Sequence, residues 1–150
     1  MSLLVNSSFE QGVLAPWQRL NQPGQTLLGI GNTPGLAMIG VNYATLYTAV
    51  AGGSIGQDFS GYMPSVAAIA YVRSGSGAAV NGRLALWDFV DMTNAVSSFV
   101  AANAWVSVMT VKDLRGSGSP HAARPANSIR VEIYLDTPKA DLFIDSVTAF

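Results

Sequence analysis

The chain predicts an all-β protein, an antiparallel β-sandwich of two sheets with a jelly-roll arrangement. Three observations carry this. Short runs rich in Val, Ile, Ala and aromatics alternate with clusters of Gly, Pro, Asn and Ser. Several runs alternate apolar and polar residues with a period of two. No segment sustains the 3.6-residue apolar period of a packed helix.

In order, strands are expected near Leu3–Val5, Thr26–Ile30, Ala37–Val41, Thr45–Val50, Ser54–Phe59, Ser65–Arg73, Gly82–Val90, Trp105–Val111, Ser128–Leu135 and Asp141–Thr148. The Ala-rich stretch Val96–Ala102 offers at most a turn of helix. Ser74–Asn81, with two glycines and two serines, reads as a hairpin loop, and Arg115–Asn127, with Pro120 and Pro125, as a long polar connection. Alternation assigns faces. Val131, Ile133 and Leu135 oppose Arg130, Glu132, Tyr134 and Asp136; Leu84 and Leu86 oppose Arg83, Trp87 and Phe89; Val66, Ala68, Ala70 and Val72 oppose Ile69, Tyr71 and Arg73. The apolar sets should meet between the sheets. In the last strand Leu142 and Ile144 are even but Val147 is odd, so a bulge is expected near Asp145-Ser146.

Composition bounds the rest. A chain of 150 residues fits one domain spanning 1–150, without an internal repeat or boundary. Apolar residues make up 49% and charged residues only 11%, against about 25% charged in typical soluble domains. Either Ser, Thr, Asn and Gln wet this neutral surface, or other subunits cover part of it; a net charge of −1 opposes association little. There is no basic surplus to grip nucleic acid, and no apolar run approaches the roughly 18 residues of a membrane helix. The N-terminus lacks the features of a secretory signal, and the absence of cysteine excludes disulfides and thiolate metal sites.

Chemistry-bearing groups are sparse, and no catalytic residue is assigned. His121, the one histidine, lies in a Gly/Ser/Pro-rich loop and gives a nucleophile no anchored base. Asp88 with Asp91, and Asp136 with Asp141, flank turns and read as turn formers rather than an acid/base pair. A sugar-binding surface needs aromatic planes for C–H faces and planar polar groups for hydroxyls. Tyr71 with Arg73, Trp87 with Arg83, and Tyr134 with Arg130 and Glu132 supply both on non-core faces. Tyr71, Arg83, Trp87, Arg130, Glu132 and Tyr134 are therefore the candidate glycan-binding residues. A plain half-exposed sheet face has the same residue types.

The two ends carry a resemblance. Asn6-Ser7-Ser8-Phe9-Glu10-Gln11-Gly12 with Trp17, and Ile144-Asp145-Ser146-Val147 at the close, resemble the opening and closing strands of carbohydrate-binding modules with a galactose-binding-like jelly roll. Ala70-Tyr71-Val72-Arg73, Gln57 and Trp105-Val106 fit the middle of that pattern more loosely. The resemblance implies core roles for Trp17 and Trp105, and a structural calcium ion held by Glu10 and Asp145; the alternative is that Glu10 caps backbone amides and Asp145 sits unmetallated beside them. Ser146 stands where the second Asp of the usual pair would be.

Such modules usually hang from an enzyme by a linker and are exported. Here the first expected strand begins at about Leu3 and the last reaches the C-terminus, which predicts a free-standing protein or a closely trimmed piece. Two non-catalytic functions follow as expectations. The first is a structural virion protein, a phage capsid decoration or tail component on the virion surface, partnered by other subunits or by itself. The alternative is an extracellular module that docks polysaccharide on an aromatic-lined sheet face.

Overall fold

Ten strands form in the computed structural model, which describes residues 2–114 and 127–150. They are β1 (Gln18–Arg19), β2 (Thr26–Gly31), β3 (Tyr43–Thr48), β4 (Gly53–Gly61), β5 (Ser65–Ser74), β6 (Val80–Asp88), β7 (Thr93–Ala101), β8 (Val106–Asp113), β9 (Asn127–Leu135) and β10 (Asp141–Ala149). One turn of 3-10 helix, Pro23–Gln25, precedes β2. A first sheet has the order β1-β4-β9-β6-β7 and a second the order β2-β3-β10-β5-β8, with every neighbouring pair antiparallel. The connection of residues 115–126, with His121, lies outside the described residues.

The expected alternation holds. Val131, Ile133 and Leu135 of β9, Leu84 and Leu86 of β6, and Val66, Ala68, Ala70 and Val72 of β5 are buried between the sheets. Each large aliphatic among them contributes roughly 1.5–3 kcal/mol by leaving water. Trp17 is buried against Phe9, ring centroids 5.7 Å apart, and its indole N–H donates to the Asn6 carbonyl at 3.1 Å. Trp105 is only part-buried. It donates to the Leu36 carbonyl at 2.8 Å and meets Tyr43 edge-on, so it anchors a loop more than it fills the core.

The bulge is where parity required it. Asp145 opposes Tyr71 and Thr148 opposes Ile69, so two residues of β10 face one of β5, and Ser146 takes a positive φ of 50°. Leu142 and Ile144 before the bulge and Val147 and Ala149 after it all point inward.

Four local expectations need correction. Leu3–Val5 is not a strand: Gln57 clamps Val5 by accepting from its N–H at 2.7 Å and donating to its carbonyl at 2.9 Å, while the Leu3 N–H reaches the Ala149 carbonyl. Ala37–Val41 is a loop, because Gly35 and Gly40 turn at positive φ and its amides go to carboxylates rather than to a strand. Val96–Ala102 is no helix. Most of it belongs to β7, in which Phe99 and Ala101 point inward and Val96 and Val100 outward. Finally, Ser74–Asn81 does not close a hairpin: β5 and β6 belong to different sheets, and the segment crosses between them.

Candidate functional site

Strand register assembles a polar and aromatic face on the outside of the first sheet. β9 is its central strand. Along β9, Arg130 lies between Asp58 of β4 and Trp87 of β6, Glu132 between Gly56 and Ala85, and Tyr134 between Ser54 and Arg83. The middle row is the low one, because its flanking residues are Gly and Ala while the outer rows carry rings and guanidinium groups. A Cβ at Gly56 would come within 2.6 Å of the Val131 carbonyl and 2.5 Å of Leu20, so the small residue is required there.

Leu20, Asn21, Trp87, Phe89, Arg130, Glu132 and Tyr134 line the resulting depression of ≈ 290 Å³. Glu132 is only 4% exposed. Its Oε1 accepts from the Ser54 hydroxyl at 2.6 Å, and that hydroxyl accepts from the Asn21 N–H at 2.9 Å. The Trp87 indole N–H donates to the Tyr134 hydroxyl at 3.2 Å. Burial first, and then its hydrogen bond to Glu132, push the Tyr134 hydroxyl up to about 12, so it stays protonated. Trp87, Tyr134, Glu132 and Ser54 are thus locked to one another in one network.

Both arginines are neutralised. Arg83 makes a two-point pair with Asp136, Nε and Nη2 each at 2.8 Å, and lies over the Tyr134 ring at 4.5 Å. Arg130 pairs with Asp58 at 2.7 and 3.1 Å and lies over Phe89 at 4.8 Å. These carboxylate hydrogen bonds raise both guanidinium groups above their ordinary value. The planar cations are therefore charge-compensated and fixed in orientation by two-point pairs.

Five of the six residues expected to bind glycan, Arg83, Trp87, Arg130, Glu132 and Tyr134, share this face. Tyr71 does not. It sits on β5 in the second sheet, opposite Ser107 and Asp145, because a local two-residue period assigns a face without saying which sheet carries it. Phe89, Leu20, Asn21 and Ser54 complete the site without having been singled out. Phe89 already shared the parity of Arg83 and Trp87; Leu20 and Asn21 arrive from the far edge by pairing with Ser54, which no local pattern signals.

The turn reading of Asp88 holds, since its Oδ1 accepts from the Val90 N–H at 2.9 Å. Asp136 instead pairs with Arg83.

Glu10 and Asp145 meet one loop at the other sheet. Asp145 is fully buried; its Oδ2 accepts from the Met38 and Ile39 amides at 2.8 and 3.0 Å and its Oδ1 from the Ser146 amide at 2.6 Å. Glu10 accepts from the Val41 and Asn42 amides at 3.0 and 2.8 Å. Burial pushes the Asp145 carboxyl up, with the Glu10 charge adding to it and the three amides offsetting part of it. A calcium ion needs six to eight oxygens turned toward it. These carboxylates face N–H donors, and among the described residues no group of three His, Cys, Asp or Glu is placed to hold a metal, so the residues as placed do not fit the ion.

No protein-family model and no curated protein sequence matches the chain. Solved structures do. A family 61 carbohydrate-binding module, TmCBM61 in complex with β-1,4-galactotriose, superposes with a TM-score of 0.70 at 13% identity, over 100% of this chain and 98% of the other. The CBM22-1 xylan-binding domain of Paenibacillus barcinonensis Xyn10C gives 0.68 at 13% identity, over 95% and 90%. The enzymatically active domain of bacteriophage CBA120 tailspike protein 4 gives 0.61 at 10% identity, over 99% of this chain and 21% of that one. The chain has the β-sandwich fold of carbohydrate-binding modules.

Proposed function

We propose that this chain is a non-catalytic glycan-binding module that holds saccharide on the outer face of its first sheet. The observation that carries the reading is the register of β4, β9 and β6, which sets Glu132 at the floor of a depression walled by Trp87, Phe89, Tyr134 and Arg130. Ring planes take the C–H faces of a sugar, Glu132 accepts from hydroxyls, and the guanidinium groups donate to them. Asp58 and Asp136 are each held by an arginine, which favours binding over acid/base hydrolysis. The likeness to modules described as galactotriose-bound and xylan-binding supports the same reading.

A glycan array followed by calorimetry with the retained saccharide tests this. Micromolar to millimolar retention of a defined glycan is expected; indifference to every glycan of a broad array refutes it.

The likeness to a phage tailspike domain favours a second reading, in which the module is a virion component and its partners are capsid or tail subunits or further copies of itself. The location is then the virion surface, and otherwise extracellular. Size exclusion with and without candidate particle proteins separates the two: co-elution supports the virion role, and a monomer that retains glycan supports the first.

A further inference from the structure

We infer that this chain closes its two ends without a divalent cation, by seating Glu10 and Asp145 in a nest of backbone amides from residues 38–42. Two carboxylates converge on one short loop, and two like charges there need positive partners. Five N–H groups supply them: Met38, Ile39 and Ser146 to Asp145, and Val41 and Asn42 to Glu10. Successive amides turned to one side make an anion-binding concavity. Against both carboxylates the backbone turns N–H donors.

The backbone is shaped for the task. Gly40 holds a φ of +70°, and a Cβ there would come within 2.3 Å of the Glu10 carboxyl group, so the loop wraps the carboxylate as closely as a residue without a side chain allows. Asp145 is the last residue in register with β5 before the β10 bulge, and the Ser146 amide that opens the bulge donates back to its carboxylate. The N-terminal segment joins the same junction, with the Val147 amide donating to the Ser7 carbonyl at 2.8 Å and the Leu3 amide to the Ala149 carbonyl at 2.7 Å. Ser146, following Asp145, contributes a donor amide rather than a further carboxylate. N-terminus, loop and last strand are thereby tied by hydrogen bonds to charged acceptors, the stronger kind.

The test uses the full chain in chelator and in millimolar calcium, reading the melting temperature and the exchange of individual amides. The nest predicts a Tm within about 1 °C in the two buffers, whereas a resident ion at a hundredfold its dissociation constant would raise Tm by roughly 5–10 °C. In chelator the amides of Met38, Ile39, Val41 and Asn42 are expected to be protected. Glu10→Gln, at an exposed position, should speed exchange at Val41 and Asn42 by about tenfold in both buffers and leave Met38 and Ile39 unchanged. A calcium-dependent rise in Tm that Glu10→Gln erases overturns the inference. So does unchanged protection at Val41 and Asn42 in that variant.

Discussion

Trp87→Ala is the sharpest perturbation of the proposed groove. The indole is half-buried and lines the depression, with its N–H donating to the Tyr134 hydroxyl. A large aromatic side chain buries about 150–250 Å² when fully covered, so a saccharide on its open face removes roughly 100 Å². At about 25 cal/mol per Å² that is roughly 2.5 kcal/mol, or about sixtyfold in Kd. Trp87→Phe keeps one ring plane but loses the second ring and the N–H that holds Tyr134, a smaller loss of about 1 kcal/mol or about fivefold.

Calorimetry with the array-selected saccharide measures both variants, and near-UV circular dichroism checks that they are folded. Tryptophan fluorescence gives an independent readout. Trp17 is buried and Trp105 is bonded to the Leu36 carbonyl, and neither lines the depression, so a ligand-induced change should vanish in Trp87→Phe. A folded Trp87→Ala protein whose Kd stays within about twofold of wild type refutes the stacking role and the assignment of this face.

Three further outcomes follow. Glu132→Gln keeps the shape of the floor and removes the charge that strengthens hydroxyl hydrogen bonds, so Kd should weaken about tenfold in the same calorimetric assay. Tyr71→Ala should leave glycan affinity unchanged, because Tyr71 belongs to the other sheet; a loss above about threefold, measured by affinity electrophoresis, would put the ligand on that sheet instead. Tyr134, held up to about 12 by burial, should still be a phenol at pH 10.5. Above the ordinary tyrosine value the unfolded chain loses this proton while the folded chain keeps it, so the Tyr134 contribution to stability declines as pH rises through that window. An ultraviolet phenolate titration compared with Tyr134→Phe reads it, and a Tyr134 midpoint near 10 would contradict the buried network.

Much of the fold was legible because its signals are local. Val131, Ile133 and Leu135 alternate with Arg130, Glu132 and Tyr134, and a two-residue period can only mean opposite faces of a strand. The switch from even to odd between Ile144 and Val147 required an extra residue, and the bulge at Ser146 supplies it. Two of the misread elements share a cause: their hydrogen-bond partners are distant in sequence. Ala37–Val41 has strand-like residues but its amides belong to Glu10 and Asp145. Leu3–Val5 is met by the Gln57 side chain, not by a strand. β7 was obscured by its alanines, whose low bulk hides alternation, until pairing with β6 gave them a face.

The same division runs through the candidate site. Residue order alone predicted a two-layer β protein, which side chains of β5, β6 and β9 share a face, and that Arg83, Trp87, Arg130, Glu132 and Tyr134 lie on the non-core faces of β6 and β9. Tertiary structure decided that β4, β9 and β6 are neighbours, that Tyr71 lies on the opposite sheet, and that Leu20, Asn21 and Phe89 complete the walls. It also decided that Glu10 and Asp145 face amides. Alternation is a property of one strand's pleat, readable from its own residues, whereas sheet order and loop closure are set by contacts between segments far apart in the chain, 107 residues in the case of Met38 and Asp145.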